Sequence, residues 1–132
     1  MEQKKTVKAN YNVSIISTSK ELSARERIMM KDTSNALKLD EAVQADAPLV
    51  IQPVGYAELL IHNEKSDNKD YPNYIIIDKE GHKFVTGSAS FWESFMEIWE
   101  EMEGEEEEFQ IEIYKKESKN FKGKHFISCS II

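Results

Sequence analysis

The residues from Tyr114 to Phe126 (YKKESKNFKGKHF) set five lysines and three aromatic rings around one glycine. Such a stretch can follow a nucleic-acid backbone with its ammonium groups and offer ring faces on which unpaired bases stack. Lys115, Lys116, Lys119, Lys122 and Lys124 supply the charge, Tyr114, Phe121 and Phe126 the rings, and Asn120 in the turn an amide that can bond a base edge. Tyr71, Asn73, Tyr74, Lys83 and Phe84, on a preceding hairpin, extend the candidate surface. A plain structural account fits the same residues, because lysines beside a turn protect a sheet edge and alternating aromatics fill a core.

Other chemistries find less purchase. His62, His82 and His125 form no pair with metal-ligand spacing, and His125 with Cys129 offers only two ligands on one strand face. The run from Asp67 to Asp70 lacks the glycine and distal glutamate of a calcium loop, and residues 81–88 lack the spacing and lysine of a phosphate-binding loop. Gly87-Ser88-Ala89-Ser90-Phe91 lacks the second glycine of a nucleophile elbow. Neither catalysis nor a cofactor or metal is expected.

The elements that must position these residues are legible in part. At 132 residues, one domain is expected, with a β-rich body over about residues 48–132 and a less regular stretch over 1–47. Thr6 to Ser17 reads as a strand, and Ser23 with Glu26 reads as a capping box opening a short helix through Met30, with a strand as the alternative. Leu37, Leu39 and Val43 fit no pattern. Leu49 to His62 reads as a strand bent near Pro53 and Gly55, followed by a polar loop over Asn63 to Asp70. Tyr74–Ile77 and Lys83–Thr86 flank a turn at Asp78-Lys79-Glu80-Gly81, where Gly81 supplies a positive φ. Ser90 and Glu93 read as the capping box of an amphipathic helix over about residues 90–103, with Gly104 as its stop. Phe109, Ile111 and Ile113 alternate with polar residues as a half-buried strand does, and Lys124 to Ile132 is apolar on both parities.

Charge is unevenly spread. Nine glutamates and no basic residue lie between Glu93 and Glu108, more than the whole net charge of −7, so the rest of the chain is slightly basic. A polyanionic partner is therefore compatible with an acidic total. The acidic segment 93–108 is itself a candidate docking face for a protein partner. Cys129 is the only cysteine, no apolar run approaches a membrane span, and the first residues lack a signal-peptide core. These features lead to the expectation of a cytoplasmic protein without a membrane partner. The apolar Ile131 and Ile132, with the two-sided last strand, permit a homodimer.

Five or six strands with one late helix, between the third and fourth strands of the main body, match the order of a small Greek-key barrel. The expected fold is thus mainly β with one or two helices, an OB-fold-like five-stranded barrel in which the lysine-rich turn joins the last two strands. Such a turn is an oligonucleotide-contacting loop in OB-folds.

The strings KDTSNA (31–36), IHNEKSDN (61–68), SASFWESFMEI (88–98) and ESKNFKGKHFISCSII (117–132) resemble small proteins of tailed phages that infect low-GC Gram-positive bacteria. Some of those are described as single-stranded DNA-binding proteins. The resemblance implies a phage origin, host-cell cytoplasm and a role in replication or recombination, with single-stranded DNA as partner and a host or phage replication protein as the candidate at segment 93–108. The alternative is an acidic phage protein that binds or inhibits a host protein as a DNA mimic.

Overall fold

The computed structural model describes residues 10–44, 46–117 and 125–132. Eleven elements follow in order: β1 (Tyr11–Thr18), α1 (Ala24–Lys31), β2 (Leu37–Lys38), α2 (Leu39–Ala42), β3 (Leu49–Ile51), β4 (Pro53–Asn63), β5 (Asp70–Asp78), β6 (Lys83–Thr86), α3 (Ala89–Glu103), β7 (Ile111–Glu117) and β8 (His125–Ile131). The chain is mainly β, with a five-stranded sheet in the order β1-β4-β5-β6-β2 and a three-stranded sheet in the order β3-β7-β8. Neither sheet closes into a barrel.

The bend expected near Pro53 is real and has a topological effect. β3 and β4 are interrupted only at Gln52, and β3 pairs with β7 while β4 pairs with β5 and β1. One long stretch of chain therefore belongs to both sheets. A register shift between Pro53 and Gly55 absorbs the change of direction. At the turn between β5 and β6 Gly81 takes φ +89°, a conformation that costs a residue without Cβ little.

Strand alternation divides the apolar residues into two clusters. Ala57, Leu59, Ile61 and Ile75 form the smaller, on one face of the five-stranded sheet, where Met30 of α1 packs over them. Tyr74, Ile76 and Phe84 project from the other face and meet Ile111, Ile113, Ile127 and Cys129 of the second sheet. Phe91, Trp92 and Phe95 of α3 complete this larger core. Leu39 and Val43, which showed no periodicity, also belong to it: β2 pairs in parallel with β6, and the short α2 turns both side chains inward.

The two longer helices, α1 and α3, differ in how well local signals located them. The capping box of α1 is present, with Glu26 N donating to Ser23 Oγ at 3.2 Å and Ser23 N donating to Glu26 Oε1 at 2.9 Å. For α3 the cap is Ser88 rather than Ser90, its Oγ accepting from Phe91 N at 3.2 Å. The reason lies outside the helix. Thr86 Oγ1 accepts from Ser88 N and donates to Asp40, which anchors the chain two residues before the serine that the sequence pattern favours. Among the described residues no helix is long and apolar enough to cross a membrane.

Candidate nucleic-acid interface

β7 and β8 pair in antiparallel register from Ile111↔Ile131 to Glu117↔His125, and their alternation gives the hairpin two unlike faces. Ile111, Ile113, Ile127 and Cys129 point into the main core. The opposite parity carries Glu112, Tyr114, Lys116, Phe126, Ser128 and Ser130, with Lys116 directly across from Phe126, Tyr114 across from Ser128 and Glu112 across from Ser130. Phe126 is 38% exposed, Lys116 is exposed, and Tyr114 is half-buried with its hydroxyl 2.8 Å from Ser130 Oγ. A cation and two rings thus share one solvent-facing side. Lys115 sits on the core-side parity opposite Ile127 and is half-buried, so its stem lies over apolar surface. Lys119, Asn120, Phe121, Lys122 and Lys124 lie outside the described residues.

The β5–β6 hairpin does not offer the surface expected of it. Tyr74 is only 6% exposed and stacks on Trp92 at a centroid distance of 4.6 Å, and Phe84 is 4% exposed within the same core. Neither ring can receive a base. Tyr71 and Lys83 point to the other face, because residues three apart or adjacent in a strand project oppositely. There Tyr71 packs half-buried beside the smaller cluster. Lys83 Nζ donates to the carbonyls of Met29 at 2.6 Å and Asp32 at 2.8 Å, holding the end of α1 against the sheet. This lysine tethers a helix terminus and presents no free ammonium for phosphate. Parity counting along Tyr71–Tyr74 and Lys83–Phe84 separates the two pairs from sequence alone, once both segments are read as strands.

The acidic helix is not remote from the basic hairpin. β8 is the outer strand of its sheet and α3 packs along it, with Ser94 Oγ 3.3 Å from Ser128 Oγ. Glu93, Glu97, Glu100 and Glu101 are exposed. Among the described residues, the ion pair that engages the 93–108 segment is Glu108 with Lys79 at 3.8 Å. Glu97 and Glu101 share the helix side of Ser94 and so flank β8, which limits how far along it a polyanion can run. Glu93 and Glu100 lie within electrostatic reach of Tyr74 and Tyr56 on the other sheet.

Two histidine clusters were invisible in the spacing. His82, Asp78 and Glu80 bring ligand atoms within 4.8 Å of one another. Asp78, 5% exposed, is already occupied: Oδ1 accepts from the backbone N–H groups of Glu80 and His82, and Oδ2 lies 3.0 Å from His82 Nδ1. The cluster is a turn brace, and the aspartate holds the His82 pKa above its ordinary value. The second cluster sits at the loop end of the β4–β5 hairpin, where His62 pairs with Asp70 across the strands. His62 Nδ1 lies 2.8 Å from Asp70 Oδ1 and Nε2 lies 2.6 Å from Glu64 Oε2, while Lys69 Nζ sits 3.3 Å from Glu64 Oε1. Ionised carboxylates only accept, so both ring nitrogens must donate, which favours imidazolium and raises the His62 pKa through Asp70 first and Glu64 second.

A pH dependence follows. The stabilisation from His62 is complete below about pH 6.5, its unfolded pKa, and fades as pH rises through the higher folded value. At the acid end it lasts as long as the two carboxylates stay ionised, and His62 with Lys69 holds Glu64 below its ordinary pKa. The melting-temperature gap between wild type and His62→Gln should be wider at about pH 6 than at about pH 9. A gap independent of pH would show that the carboxylates do not hold a charged ring.

Cys129 is buried in the main core, and burial pushes its thiol up to about 12, so it is no nucleophile at neutral pH. No protein-family model, curated protein or solved structure matches this chain.

Proposed function

We propose that this protein binds single-stranded DNA without catalysing a reaction, covering phage replication or recombination intermediates, and that the outer face of the β7–β8 hairpin is its contact surface. One observation carries the reading: Lys116 and Phe126 form a cross-strand pair beside Tyr114 on the solvent side of the two strands that flank the lysine-rich segment 118–124. Rings flanked by ammonium groups suit a substrate with unpaired bases and a phosphate backbone, and need no sequence readout. The order of elements from Leu49 onward supports an OB-like plan. A bent first strand is shared between two sheets, a hairpin follows, and a helix precedes the last two strands. In this plan the barrel is open, and β2 rather than β8 occupies the edge of β6.

The test is a fluorescence titration with mixed-sequence single-stranded, duplex and RNA oligonucleotides over a range of salt. Binding to the single strand should weaken steeply with salt, by a slope of about 0.7 per phosphate contact. Replacing Lys119, Lys122 and Lys124 together by alanine should reduce that slope by about 2. Failure to bind a long single strand at low salt sinks the proposal.

The exposed glutamates of α3 favour a second reading, in which the helix presents a phosphate-like array to a host protein. In that case changing Glu93, Glu97, Glu100 and Glu101 to glutamine abolishes capture of one specific host protein and leaves oligonucleotide binding intact.

A further inference from the structure

β1 is the edge of the five-stranded sheet, and among the described residues no strand pairs with its outer side. Its eight residues, YNVSIIST, contain no charge, proline or glycine. Exposed edges of this length are ordinarily blunted by lysine, proline, shortness or a bulge. The single device here is a register shift at Ile16, near the end of the strand, which leaves Tyr11 to Ile15 in regular pairing with β4. Tyr11 is 49% exposed and Ile16 54% exposed. Val13 and Ile15 project toward the smaller core yet are only half-buried, although Ile61 and Leu59, their partners on β4, are fully buried. The apolar layer thus runs out at β1 with its rim uncovered.

We infer that β1 pairs with β1 of a second copy of this chain, in antiparallel register about a two-fold axis through Ser14. Three features select a second copy over an unrelated strand. The two core-facing residues are symmetric about Ser14: the axis sets Val13 opposite the partner's Ile15 and Ile15 opposite the partner's Val13, so the smaller core continues across the interface. The antiparallel two-fold keeps both inner faces on the same side of the joined sheet, as an isologous contact requires. A chain of net charge −7 repels its own copies, and this edge brings no like charges together. The inference does not depend on DNA binding. It also moves the dimer contact away from the apolar C-terminus, since β8 already has α3 packed along it.

Analytical ultracentrifugation of the full chain over the micromolar range tests it, with two variants. Wild type should sediment as a dimer. Ser14→Lys places two ammonium groups directly opposite each other on an exposed face and should raise the dissociation constant by about tenfold or more. Ser14→Cys should form an intermolecular disulfide on mild oxidation, because directly opposed residues lie about 4.5–5.5 Å apart between Cα atoms. Ile16→Cys, on the same strand but more than about 10 Å from its symmetry mate, should not. A wild-type monomer throughout overturns the inference, as does a dimer that Ser14→Lys leaves intact and Ser14→Cys fails to link. If Ser14→Lys does not fold, the contrast between the two cysteine variants decides.

Discussion

Replacing Phe95 with alanine is expected to destabilise the protein by about 3–5 kcal/mol, the usual cost of emptying a fully buried phenylalanine site. Phe95 has no exposed surface and lies within ring contact of Trp92 (5.2 Å), Trp99 (5.8 Å), Phe91 (6.0 Å) and Tyr56 (6.2 Å). Tyr56 belongs to β4, and the core that α3 enters is shared by both sheets. Truncation therefore removes packing at the joint between layers, where neighbours on three sides cannot collapse together. Against a typical total of about 5–15 kcal/mol, such a loss consumes a large fraction of the stability. Urea denaturation should show a lower midpoint at an unchanged slope, and the fluorescence of Trp92 and Trp99 reports the same locus. A loss below about 1 kcal/mol would mean that α3 is not the wedge between the sheets.

The combined substitution Tyr114→Ala and Phe126→Ala is expected to weaken single-strand affinity by on the order of 10²–10⁴-fold, since each stacked base is worth about 1–3 kcal/mol. The salt slope should not change, because no charge is removed. Replacing Lys119, Lys122 and Lys124 should act in the opposite way, with a smaller slope and a salt-sensitive loss. This division distinguishes a stacking platform from a merely basic patch. Both rings lie on the solvent side of the hairpin, and the fold loses chiefly the Tyr114 hydroxyl contact with Ser130, so the double variant should stay folded. Unchanged affinity in a folded double variant would remove the β7–β8 face as the contact.

What was readable in the chain was local. The Ser23–Glu26 box, the turn at Gly81, the bend before Gly55 and the apolar recurrence of Phe91, Phe95 and Ile98 all emerge where predicted, since each depends on residues within a few positions of one another. Leu39 and Val43 were unreadable because their burial comes from the parallel pairing of β2 with β6, about 47 residues along the chain, and from no periodicity of their own. The OB-like barrel was an inference from element order. Order does not determine closure, and here β2 takes the edge of β6 that a closing strand would need.

The candidate surface divides along the same line. By itself the sequence determined that aromatic and basic residues alternate along two hairpins, and that acidic charge is concentrated between Glu93 and Glu108. Tertiary structure decided which of those residues reach solvent. It buried Tyr74 and Phe84, bound Lys83 to the end of α1, laid the acidic helix along β8 and, among the described residues, left β1 as an unpaired edge. Composition and spacing name the groups a chain carries. Which side of a strand meets the core, and which cation is consumed by a carbonyl 54 residues away, depend on packing between segments that local propensity does not encode.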